Sequence, residues 1–224
     1  MTDALTLVWQ TMRARWRMLA LVGLATAVLY QGVLLLALIL RFGNLPNYAV
    51  AYDWPGNVWR IVEGTPSIRD MGPIIANEWL FEVGFMNYDY GNGISEWALS
   101  VVPAKMLVLF VMGALVGLAF ALARSGACPA ATVRSSGAAT SLGAGLVLLT
   151  NATMSWVVCC ATPSWVVGLA MMGVGVSTSL ALEGIGGWVA GTGFTLLLAS
   201  VAALAWIRSR PALVPGPSDV PAAS

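Results

Sequence analysis

Two adjacent cysteines, Cys159 and Cys160, have the most chemistry to offer of any residues in this chain. Vicinal thiolates can capture a soft metal such as Hg(II) or Cu(I), and Met154, Met171 and Met172 lie nearby in sequence. Cysteine is equally at home as a small buried hydrophobe. A disulfide between neighbours is strained, and three cysteines build no framework of bridges, so free thiols are expected. Glu78 and Glu82 are four residues apart. On a helix that spacing places both carboxylates on one face, as an acid–base pair or as the wet side of a surface helix. Glu183 is a further candidate functional carboxylate, since it falls between apolar stretches where charge is costly unless it is used or lies in a headgroup-level turn.

What is missing narrows the chemistry further. The chain has no histidine, which removes bis-imidazole haem, His-ligated copper or iron, and histidine proton relays. No phosphate-binding glycine loop, nucleophile elbow or zinc motif occurs. No catalytic residue is assigned, and no cofactor of the protein's own is expected. A bound lipid, quinone or carotenoid needs only an apolar groove and a few hydrogen bonds, and is compatible with the composition.

The elements that must position these residues belong to a membrane protein. Of 224 residues 58% are hydrophobic and 9% charged, with mean hydropathy +0.81. A soluble domain carries about a quarter charged residues. Between Ser135 and Ile207 the one charged side chain is Glu183. Net charge is +1, so nothing points to nucleic acid.

The expected fold is an all-α integral membrane protein of about five transmembrane helices, with an aromatic-rich extramembrane segment between helices 1 and 2. Residues 1–17 read as an interfacial amphipathic helix, with Trp9 and Trp16 at headgroup level. Residues 18–41 form helix 1, too long an apolar stretch for a cleaved signal peptide. Residues 42–103 are acidic and rich in Trp and Tyr, and within them 73–86 reads as a helix with Pro73 in its first turn. About sixty residues make a poor independent core, so this segment is expected on the membrane surface, using the bilayer or a soluble partner as its second layer. Residues 104–123 form helix 2 and 124–136 a polar loop. Residues 137–207 form a three-helix bundle with spans near 138–158, 164–182 and 186–207, followed by a disordered tail over 208–224.

Small residues recur at helix-contact spacing: Gly113 and Gly117; Gly137, Ser141 and Gly145; Gly173 and Ser177; Gly187 and Gly191. Lipid gives helices no hydrophobic reason to associate, so close approach at small residues has to hold them together or dock them on other helices. Arg13, Arg15, Arg17, Arg124 and Arg134 favour a cytoplasmic N-terminus, in a bacterial inner membrane. Five spans then put Arg208 and Arg210 outside, unless a stretch after Gly137 is re-entrant.

The reading that follows is a non-catalytic accessory or scaffold subunit of a larger membrane complex, energy-transducing assemblies included. Its partners would be membrane lipids and other transmembrane subunits. The alternative is a small transporter of a soft metal or thiol-linked species, built on Cys159 and Cys160.

Overall fold

The computed structural model describes residues 2–89, 91, 93–124, 130–156 and 184–209. Its longest element is α1, Thr2–Phe42, whose backbone leaves helical values at Arg15 (φ −118°, ψ 20°). That kink falls in the cluster of arginines where an interfacial helix was expected to meet a span, and it joins the two without a loop. Gly43 ends the helix with φ 71°, and its N–H donates to the Ile39 carbonyl at 2.8 Å. A left-handed residue here satisfies an end carbonyl at no steric cost because glycine has no Cβ.

The extramembrane segment then folds as β1 (Tyr48–Ala51), α2 (Trp54–Gly64), α3 (Ile68–Ala76), β2 (Phe81–Asn87) and β3 (Ile94–Val101). Two apolar helices follow, α4 (Pro103–Arg124) and α5 (Ala130–Thr150), then a short strand, β4 (Met154–Trp156), and a last helix, α6 (Gly186–Ser209). The four strands form one antiparallel sheet in the order β1-β2-β3-β4. The chain is mostly helical, as expected, but it is not all-α.

Among the described residues, three helices are long and apolar enough to cross a membrane, Ala4–Phe42, Pro103–Arg124 and Gly186–Ser209, with Ser135–Thr150 a shorter apolar helix. The expected count of five is not reached among the described residues. One reason is the end of α5: Asn151 turns its amide back to the Val147 carbonyl (2.7 Å), and the chain continues as β4 rather than as helix to residue 158. The span expected over 164–182 lies outside the described residues.

Packing divides into three layers that fix the direction of each helix. Leu19 of α1 meets Leu118 and Leu122 of α4 and Val201 and Leu204 of α6 in one layer. Ala27, Leu109, Met112, Val147 and Leu197 form the next. Leu34 and Leu38 of α1 pack with Trp97 and Leu99 of β3 in the third, and the Phe42 and Trp97 rings stack at 6.5 Å. Helices α1 and α5 thus run toward the sheet, while α4 and α6 run away from it.

Charge separates along the same axis. Arg13, Arg15, Arg17, Arg124 and Arg208 gather at the end remote from the sheet. Glu78, Glu82 and Glu96 belong to the sheet and its flanking turn at the other end. Arg208 thus shares an end with Arg124, and the conflict that five spans created does not arise.

Candidate functional site

Glu82 is the most elaborately held carboxylate in the described residues. Tyr48 lies opposite Gly84 in the β1–β2 register, so Tyr48, Tyr52 and Glu82 share one face of the sheet. Tyr48 donates to Glu82 Oε1 at 2.7 Å, and Tyr52 to Oε2 at 2.8 Å. Tyr48 Oη also lies 3.0 Å from Ser95 Oγ on β3, so its phenol crosses the whole of β2. Gly84 makes the crossing possible, because a Cβ there would sit 2.6 Å from Tyr48 Oη and 2.5 Å from the Trp97 carbonyl.

Burial, then the hydrogen bond to the Glu82 carboxylate and its charge, push Tyr52 up to about 12. Tyr48 also rises to about 12 through burial and Glu82, against an opposing contribution from Ser95. Both phenols stay protonated donors at neutral pH. A carboxylate with each oxygen occupied by a phenol is a clamp across three strands rather than a free base.

Glu78 is elsewhere. It sits in the turn after α3, where its Oε1 accepts from Asn57 Nδ2 of α2 at 2.6 Å, while Arg60 Nη2 donates to Asn57 Oδ1. The expected helix over 73–86 is corrected. Pro73 lies inside α3, the helix ends at Ala76, and 81–87 is strand, so Glu78 and Glu82 do not share a helix face. Phe81, Val83 and Phe85 alternate with Glu82 and Gly84, and that two-residue period is the signal for the strand.

Neither α2 nor α3 buries a single residue. Trp59, Val62, Ile68 and Ile74 are all exposed on them. The opposite face of the sheet is covered by α1, through Trp97, Leu99 and Phe85, and on the Glu82 face Ala98 and Ser100 of β3 are buried as well. The second layer for half of the extramembrane segment is therefore the protein's own first helix.

Small residues fall into two groups. Gly113 and Gly117 lie on α1: a Cβ at Gly113 would be 2.5 Å from Thr26 Oγ1 and one at Gly117 3.3 Å from Val22 Cγ1. Gly23 completes that contact against the Phe110 carbonyl, and it belongs to no stripe read from the sequence. Helices α5 and α6 cross at Gly143 and Gly193, where a Cβ on either glycine would lie 2.8 Å from the other's carbonyl oxygen. Thr140 Oγ1 donates to Ser200 Oγ across the same pair at 3.0 Å. Among the described residues nothing lies within 4 Å of a Cβ built at Gly137, Gly145, Gly187 or Gly191, and Ser141 is exposed.

Two shallow hollows accompany these open positions. One, of about 320 Å³, lies between α4 and α5, with Val116, Phe120, Gly137, Thr140, Ser141 and Ala144 among its walls. The other, of about 530 Å³, runs along α6 over Gly187, Trp188, Gly191, Thr192, Thr195 and Leu196. Cys159, Cys160, Gly173, Ser177 and Glu183 lie outside the described residues. Among the described residues no three Cys, Asp or Glu side chains come together as a metal site. No family model, curated protein or solved structure matches the chain.

Proposed function

We propose that this protein is a non-catalytic accessory subunit of a larger membrane assembly, docked through the outer face of α6. The observation that carries the reading is the division of labour on that helix. Its inner face is spent on Gly193, Leu197 and Ser200, while Gly187, Gly191 and Thr195 face outward along a hollow. In lipid, a row of small residues with open space above it lets a second helix approach to backbone contact, which lipid chains do not exploit as well. Trp188 stands 80% exposed beside it and suits an amphipathic position at the membrane boundary.

The sheet end supports the same reading. Among the described residues nothing covers Trp59, Val62, Ile68 and Ile74 of α2 and α3, and β1 is an edge strand with exposed Ala49, Val50 and Ala51. The arginine-rich end is assigned to the cytoplasm, which places the sheet outside. The experiment is site-specific photo-crosslinking in the native membrane from positions on α6. Gly191 should give one discrete protein adduct and buried Leu197 none. Adducts to lipid alone from Gly187, Gly191 and Thr195 would remove the proposal.

A further inference from the structure

The hollow between α4 and α5 is a different kind of feature from the face of α6. Its walls are almost wholly carbon, from Val116, Phe120 and Ala144, with Gly137 leaving room on the α5 side. At about 320 Å³ it is far too small for a helix, which is about 10–12 Å across, but it suits an extended methylene chain. Arg124 stands at its mouth. The guanidinium carbon lies 4.6 Å from the centroid of the Phe120 ring, which itself lines the hollow.

Arg124 is exposed, ends α4, and makes no ion pair among the described residues. Arg13, Arg15 and Arg17 are at the same end of the bundle. The N-terminus of α5, which begins at Ala130, adds the partial positive charge of its unpaired N–H groups there.

We propose that this hollow is a binding site for one anionic phospholipid, with an acyl chain between α4 and α5 and the phosphate on Arg124. The pairing follows from chemistry on both sides. A planar guanidinium stacked on an aromatic ring is held in place and offers parallel N–H donors to phosphate oxygens. In the groove beneath it, an acyl chain gains van der Waals contacts in a gap beside Gly137 that the described side chains leave unfilled. A partner helix is the wrong size, and a free phosphate would leave the groove empty.

The purified full-length protein in detergent can be offered phosphatidylglycerol and phosphatidylcholine with identical chains, and bound lipid counted by native mass spectrometry. Retention of phosphatidylglycerol should exceed phosphatidylcholine by about tenfold, the scale of one charge-assisted contact. Arg124→Gln should remove that preference while leaving residual binding of both lipids. Gly137→Leu, which fills the groove where a Cβ meets nothing within 4 Å, should reduce both lipids together. Gly137→Ala with unchanged melting temperature and intermediate binding guards against a folding artefact. Equal retention of the two lipids by the unaltered protein would overturn the proposal. So would undiminished phosphatidylglycerol binding by Gly137→Leu.

Discussion

Glycines 191 and 193 are two residues apart on one helix and live in different worlds. Gly193 is wedged against Gly143 and Val147 of α5, whereas Gly191 meets nothing within 4 Å among the described residues. The same contrast separates Gly143 from Gly145 on α5. The inward pair sets how closely two helices of this fold approach, while the outward ones leave a surface shaped for something else. Small-residue periodicity in a membrane span therefore reports that a close approach is available, and not which partner takes it.

Substitutions at these positions sharpen the contrast, and the largest effect is expected at Gly193. Val there would drive methyl groups into the Gly143 carbonyl and Val147 Cγ2, both 2.8 Å from the first added carbon. We expect a loss of about 3 kcal/mol or more, read as unfolding at lower denaturant or failure to accumulate. Gly191→Val should stay within about 0.5 kcal/mol of the unaltered protein in the same unfolding measurement. Equal effects at the two sites would erase the distinction between inner and outer faces.

The sheet provides the next test. Tyr48→Phe removes the donor to Glu82 and the contact with Ser95, and should cost about 1–2 kcal/mol in equilibrium unfolding, more than Tyr52→Phe. The phenols also predict a pH dependence. Each is raised in the folded state to about 12 from an ordinary 10, so folding favours the protonated form. Their contribution is fully present below pH 10 and is lost as pH rises from 10 towards 12. Tyr48→Phe together with Tyr52→Phe should flatten that alkaline slope.

Thr153→Val should have the smallest effect and the opposite sign. The Thr153 hydroxyl is buried with no hydrogen-bond partner among the described residues, so replacing it by a methyl group should be neutral or slightly stabilising.

How much of this was legible in the sequence depends on the region. Helices α4 and α6 were expected at 104–123 and 186–207 and run over 103–124 and 186–209. Unbroken apolar composition bounded by Arg124 and Arg208 leaves the chain few alternatives there. The sheet was not foreseen. Its strands are short, and Glu78 and Glu82 at four-residue spacing imitated a helix. The alternation of Phe81, Val83 and Phe85, and Asn92-Gly93 as a hairpin signal, pointed the other way.

The end of α5 was hidden for a related reason. Apolar residues continue past Thr150, and hydropathy alone does not register that Asn151 caps the helix with its own side chain. Which glycines face inward was also out of reach, because a helix carries its small residues on every side and crossing geometry comes from the neighbours.

The central claim is that the outer face of α6 holds another membrane protein, and photo-crosslinking in the native membrane tests it most directly. A photoreactive residue at Gly191 should yield one discrete protein adduct that is absent when the same residue replaces Leu197, which is buried on the inner face of α6. Lipid adducts alone from Gly187, Gly191 and Thr195, in cells where the protein is folded and at native abundance, would contradict the account.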